Sequence, residues 1–358
     1  METFYIPVVR EGAGDQFECQ HTMSVLGFDI GGANLKAANS SGSCAARPFA
    51  IWKAPDALAA ELRALESRLP GASEIAVTMT AELADCYATK AEGVARIIAA
   101  VQEVAETRPV HVWLTSGKFA TPAEAIAQPL AAAASNWQAL ATWTARWAGR
   151  YPALLLDIGT TTTDLIPLDA GCPSTTGLTD ATRLMAGELV YTGVRRTPVC
   201  AVAPAVPFQG SMCPLAGEWF ATMLDVWLWL GEIPEDIDDT ETANGRPATR
   251  CAAHDRLARQ LCCDRTELDT ESITVIARYL ADRQVKQIST ALEQVLINRE
   301  PRQRAIVSGS GSFLAHRIVS QHQQLGTAEV VDLSVRLSRD LATAACAYAV
   351  AILLQTAR

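Results

Sequence analysis

The chain has 358 residues, 49% of them hydrophobic, and carries 39 acidic against 30 basic side chains for a formal net charge of −9. That length and apolar content suffice for a large core and make two domains the expectation. The acidic balance, with no Lys/Arg block, argues against nucleic acid or an anionic membrane as the main partner, and no run of about 18 apolar residues offers a spanning helix.

In chain order, residues 1–22 mix charges with Pro7, Gly12 and Gly14 and lack the apolar segment of a signal peptide, so they predict a poorly ordered extension. Residues 25–52 read as strand–turn–strand with a third strand near 47–52. Leu58, Leu62, Leu65 and Leu69 have helical spacing and stop at Pro70-Gly71. A short buried strand follows at 74–80, then a helix at 90–106, a strand at 110–115, and an Ala/Trp-rich helical segment at 123–148 interrupted near Pro129. Residues 152–168 repeat the opening unit. A Gly/Thr-rich loop at 187–198 is expected beside a cleft, followed by a helix at 215–231 and an acidic Gly/Pro insertion at 231–249. Helices at 251–262 and 271–298 lead to a strand at 305–307 and a glycine loop at 308–312. A helix from Phe313, a strand at 329–333 and an Ala-rich helix at 340–356 close the chain. Trp137, Trp143, Trp147, Trp219, Trp227 and Trp229 occur at helical spacings and are expected in cores.

The two repeated units carry the chemistry. Each ends an apolar strand on an Asp (Asp29, Asp157) and enters a tight turn, Gly31-Gly32-Ala33-Asn34 in one and Gly159-Thr160-Thr161-Thr162 in the other. Glycine lets the backbone approach an oxyanion with its N–H groups free, and the neighbouring Asp can hold a hydrated divalent cation against the same phosphate. Gly309-Ser310-Gly311, between a strand and a helix start, is a further anion or nucleotide turn. Lys36 lies on the second strand of the first hairpin, and Asp164 occupies the same place in the repeat. The bland alternatives are turn-capping Asp residues, strand-favouring threonines and a solvated edge lysine. Ten cysteines without a Cys-x-x-Cys pattern predict reduced thiols in a cytoplasmic protein. Cys251, His254, Cys262 and Cys263 depart from zinc spacings and are expected to pack rather than ligate.

Two Asp–Gly hairpins followed by a late strand–Gly-x-Gly–helix resemble the order of phosphate and adenosine motifs in the acetate and sugar kinase/Hsp70/actin superfamily. The resemblance implies an α/β fold of two ribonuclease-H-like lobes around a central cleft. It assigns 23–150, completed by the helix at 340–356, to one lobe and 151–339 to the other. The segments 29–36, 78–83, 157–164, 187–198, 218–222 and 244–247 are similar to the hydantoinase/oxoprolinase-related branch, and within it to the tetrahydromethanopterin-linked one-carbon subgroup. That resemblance implies a transferase of methanofuran- or methylofuran-type cofactor assembly, joining an aminomethylfuran diphosphate to the phenol of gamma-glutamyl-tyramine, or of a tyrosine analogue, with release of pyrophosphate.

On this basis Asp29 and Asp157 are expected to hold Mg²⁺. Gly31, Gly32, Asn34, Gly159, Thr160, Thr161 and Thr162 are expected to cradle phosphate, with Lys36 pairing a phosphate oxygen. Glu82, Asp164 and Glu188 are the candidate general bases, Asp164 first. Arg195 and Arg196 would grip substrate carboxylates, and a homodimer is an admissible assembly. Two rivals share the fold. One is an ATP-dependent kinase or ATP-using hydrolase, with the nucleotide on Gly309, Ser310 and Gly311. The other is a non-catalytic nucleotide-binding scaffold that switches by lobe closure.

Overall fold

The computed structural model describes residues 24–357, so the expected extension at 1–22 lies outside the described residues. The first sheet comprises β1 (Val25–Ile30), β2 (Asn34–Asn39), β3 (Cys44–Pro48), β4 (Glu74–Met79), β5 (Val110–Trp113) and β6 (Phe119–Ala120), ordered β3-β2-β1-β4-β5-β6. Next come β7 (Ala153–Ile158), β8 (Thr163–Asp169), β9 (Cys172–Pro173) and β10 (Leu189–Val190). β11 (Ala205–Phe208) and β12 (Ser211–Pro214) form a separate hairpin that the sequence patterns do not announce. With β13 (Arg304–Ser308) and β14 (Glu329–Asp332) the second sheet runs β10-β8-β7-β13-β14, and β9 pairs with β8. In each sheet one strand, β1 or β7, has an antiparallel neighbour on one side and a parallel neighbour on the other. This is the duplicated ribonuclease-H-like architecture.

Layering follows from period-2 alternation on strands covered on both faces. Leu26, Phe28 and Ile30 of β1 pack outward with Leu62, Ile97 and Val101, from helices Leu58–Glu66 and Lys90–Ala105. Leu154, Leu156 and Ile158 of β7 pack outward with Val226, Trp227 and Leu280, from helices Met223–Leu230 and Thr270–Leu296. The inward residues Val25, Ala76, Ala153, Leu155 and Ile306 share one cluster with helices Asn136–Ala148 and Ala345–Thr356. Slipping either strand by one residue would exchange its two faces, so the register is strongly specified.

The C-terminal helix needs small residues because it lies directly on β1. A Cβ on Gly27 would stand 1.9 Å from the Ala347 carbonyl oxygen. Helix Asn136–Ala148, which the sequence boundary at 150 assigns to the first lobe, packs chiefly on helix Ala345–Thr356 and also rests on β8, β9 and β13 of the second sheet. Pro122 and Pro129 each begin a new short helix, so the 123–148 segment breaks near Pro129 as expected and once more before Asn136, giving three helices. No helix among the described residues is long and apolar enough to cross a membrane.

Candidate active site

Both Asp hairpins close in the same way. The Gly31 N–H donates to the Asn34 carbonyl at 3.0 Å, and the Gly159 N–H donates to the Thr162 carbonyl at 2.9 Å. These two amides, expected to face phosphate, are therefore committed to their turns. The N–H groups of Gly32, Ala33, Thr160 and Thr161 donate to no acceptor among the described residues, and Gly32 faces open space. Asp29 stands opposite Lys36, and Asp157 opposite Asp164, in the two registers. The Lys36 Nζ is 4.0 Å from Asp29 Oδ2.

The four side chains form one electrostatic unit. Burial raises the Asp29 carboxyl above its ordinary value, with Lys36 acting the other way, and Asp29 Oδ1 is buried without a hydrogen-bond partner. Asp157 keeps an edge towards the cleft, yet loss of water around it, with repulsion from Asp164, pushes it up to about 6 against the pull of Lys36 and the Ser308 hydroxyl. Asp164 is likewise raised by burial and opposed by Arg183, whose Nη2 lies 2.7 Å away. Two inward carboxylates, one with an orphaned oxygen and served by one lysine, suit a divalent cation with water in its coordination shell. Asp29 and Asp157 thus fit Mg²⁺. Among the described residues no group of three or more His, Cys, Asp or Glu side chains could hold a metal ion by itself. His254 bonds the Leu268 carbonyl instead, and Arg265 bonds Cys251.

Arg183 lies on helix Asp180–Ala186, which a Thr179–Thr182 capping box starts and Gly187 ends in the left-handed region. Its guanidinium sits 4.1 Å over the Trp137 ring, donates to the Glu188 carbonyl and holds Asp164. The candidate base Asp164 is therefore already in a buried ion pair. Glu188 is corrected more strongly: its two carboxylate oxygens take the backbone N–H groups of Thr176 and Gly177, so it anchors a loop. Glu82 differs from both. It is 1% exposed, its Oε2 has no partner, and burial pushes its carboxyl up to about 7, with Lys90 lowering and Asp180 raising it. Lys90 and Asp180 meet at 3.1 Å, joining the starts of helices Lys90–Ala105 and Asp180–Ala186.

The 187–198 loop lies on the second hairpin as expected. Val194 N–H donates to the Gly159 carbonyl, and the N–H groups of Arg195 and Arg196 donate to the Thr160 carbonyl. Gln284 fixes the loop by donating to Thr192 Oγ1 and the Gly193 carbonyl, each at 2.9 Å. Arg195 is held by Asp239 at 2.6 Å, which ties the 231–249 insertion to the loop. A buried Arg256–Asp225 pair at 2.6 Å, with Arg256 also reaching Asn244, supports the insertion from behind. Helix Met223–Leu230 starts late, at a Thr222–Asp225 capping box, so Trp219 sits in a loop and is 56% exposed rather than in a core.

The third glycine loop is shaped by its neighbours. Gly309 has φ of +89°, and a Cβ there would stand 2.2 Å from the Ile158 carbonyl oxygen and 2.7 Å from Asp157 Oδ1. A Cβ on Gly311 would meet Ile158 and Val194 side chains. These glycines let β13 meet the end of β7, and Ser310 between them is exposed. Arg183, Lys90, Asp180 and Trp52 were not anticipated. Each comes from a segment distant in the chain, and a lone Arg, Lys or Trp carries no spacing signal.

The hydantoinase/oxoprolinase family pattern matches residues 74–356, and the chain belongs to that family. It is 32% identical over 334 residues to the (4-{4-[2-(gamma-L-glutamylamino)ethyl]phenoxymethyl}furan-2-yl)methanamine synthase of Methanocaldococcus jannaschii, covering 92% of this chain and 97% of that protein. It is 27% identical over 206 residues to the synthase of the same name from Methanococcus vannielii, covering 56% of this chain and 90% of that one. Among solved structures it is similar to the ethanolamine utilization protein EutJ of Carboxydothermus hydrogenoformans, at 14% identity over 91% and 89% of the two chains with a TM-score of 0.44.

Proposed function

We propose that this protein is a Mg²⁺-dependent transferase that couples an aminomethylfuran diphosphate to the phenol of gamma-glutamyl-tyramine, or of a tyrosine analogue, and releases pyrophosphate. The observation that carries this reading is the match to the Methanocaldococcus synthase across nearly the whole of both chains. The compound in that synthase's name contains the phenoxymethyl-furan ether that such a coupling would make.

The geometry supports a diphosphate at the two hairpins. Its oxygens would accept from the N–H groups of Gly32 and Ala33 on one side and Thr160 and Thr161 on the other, with Lys36 adding a charge. Mg²⁺ held by Asp29 and Asp157 would supply positive charge to the leaving oxygens when bound. Such donors act where charge develops as the methylene–oxygen bond breaks. The phenol oxygen then forms the new bond to the methylene carbon, and its proton must leave. A phenol titrates near 10, and Glu82, raised to about 7 with one unpartnered oxygen, suits the base better than Asp164, which is paired with Arg183, or Glu188, whose two oxygens are already engaged.

The test is to incubate the protein with aminomethylfuran diphosphate, Mg²⁺ and gamma-glutamyl-tyramine or a tyrosine-derived acceptor, without ATP. Coupled product by mass spectrometry together with pyrophosphate release is the expected result. Turnover only after ATP is added would replace this reading with an ATP-using enzyme of the same fold.

A further inference from the structure

The two phosphate hairpins each support a neighbouring strand end, and those two ends touch. Phe49 N–H donates to the Ala33 carbonyl, and Ile51 N–H donates to the Gly32 carbonyl, so the chain leaving β3 lies on the first turn. Trp52 is the next residue. On the other side Arg196 N–H donates to the Thr160 carbonyl of the second turn. The Arg196 guanidinium sits over the Trp52 ring, 5.5 Å from its centroid. One side chain from the segment lying on each turn thus meets the other beside the two hairpins.

The three arginines nearest this cleft differ in one respect. Arg183 is paired with Asp164, and Arg195 with Asp239. Arg196 is exposed and has neither an ion pair nor a side-chain hydrogen bond among the described residues. A guanidinium held over an aromatic face by a cation–π contact is restrained while its N–H groups stay free, which suits a planar carboxylate. The ring that holds it is 37% exposed.

We infer that Arg196, oriented by Trp52 across the cleft, binds the carboxylate of the phenolic acceptor. This inference rests on the coupling reaction proposed above and assigns the acceptor's charged end. Arg195 serves instead to hold the 231–249 insertion through Asp239. Because Trp52 and Arg196 rest on opposite hairpins, acceptor binding would also favour the closed cleft, where the leaving group is shielded from water.

The test is calorimetric binding of two ligands to the full chain in the presence of Mg²⁺ and inorganic pyrophosphate. One ligand is gamma-glutamyl-tyramine. The other is 4-aminobutyryl-tyramide, which lacks only its carboxylate. The wild-type protein is expected to prefer the first, and Arg196→Ala to weaken it roughly 10- to 100-fold while leaving the second nearly unchanged. Arg196→Lys should recover only part of the loss, and Trp52→Ala should cost about 2- to 5-fold. Unchanged pyrophosphate affinity in all three variants serves as the check on folding. Equal wild-type affinity for the two ligands, no binding of either, or an equal loss of both on Arg196→Ala would overturn the inference. Wild-type turnover without ATP is scored separately, so failure of the coupling reaction and failure of this assignment give different results.

Discussion

Replacing Glu82 by Gln should make the protein more stable and less active, and both effects can be sized. In an unfolded chain this carboxyl ionises near 4.5, whereas in the fold it is raised to about 7, burial being the main cause. The folded state therefore holds the proton more tightly. Its contribution to stability is fully present below pH 4.5 and is lost as the pH rises through about 7. At about 1.4 kcal/mol per pH unit, ionising Glu82 in place costs the fold about 3 kcal/mol. Urea unfolding of wild type and Glu82→Gln between pH 4 and pH 8.5 should show curves that converge at the acid end and separate by up to that amount at the alkaline end. Activity should move the opposite way. Wild-type turnover should rise through pH 7, and the variant should lose that limb with a fall of roughly 100- to 10,000-fold. Lys90→Met, which removes the charge lowering this carboxyl, should carry the rising limb to higher pH. Parallel stability curves for wild type and Glu82→Gln, or an unchanged pH–rate limb, would refute the reasoning.

Other perturbations address the remaining machinery. Asp157→Asn should abolish the Mg²⁺-dependent part of pyrophosphate binding, and chelation should weaken wild-type binding without changing that of the variant, as read by calorimetry. Arg183→Met leaves Asp164 buried and unpaired and should cost about 3–5 kcal/mol in chemical unfolding; the double variant with Asp164→Asn should recover a large part of it. Gly309→Ala forces a side chain into a left-handed backbone position against the Ile158 carbonyl and should destabilise by at least about 2 kcal/mol. Because that clash is at Asp157, thermal melting and pyrophosphate binding should suffer together.

Much of the frame was legible in the sequence because its signals are local. The apolar runs 25–30 and 153–158, each ending at an Asp and a glycine turn, identify the paired strands and their duplication from spacing alone. The last helix was legible as Ala-rich, and the fold uses those small residues where Ala347 meets Gly27 of β1. Element boundaries were less legible. Helix Met223–Leu230 starts where Thr222 and Asp225 cap each other, and Trp219 before it lies in a loop although its spacing suits a helix.

Roles within the site depend on which partners the fold brings near. The sequence ranks Asp164 ahead of Glu82 and Glu188, and only tertiary packing gives the first an arginine, Glu188 two backbone amides, and Glu82 an oxygen with no partner. Arg195 and Arg196 are adjacent in the chain, yet one meets Asp239 and the other Trp52. A turn depends on the conformations of a few consecutive residues and can be read from them. A proton affinity or a free guanidinium depends on burial and on charges distant in the chain, and only the folded arrangement supplies those.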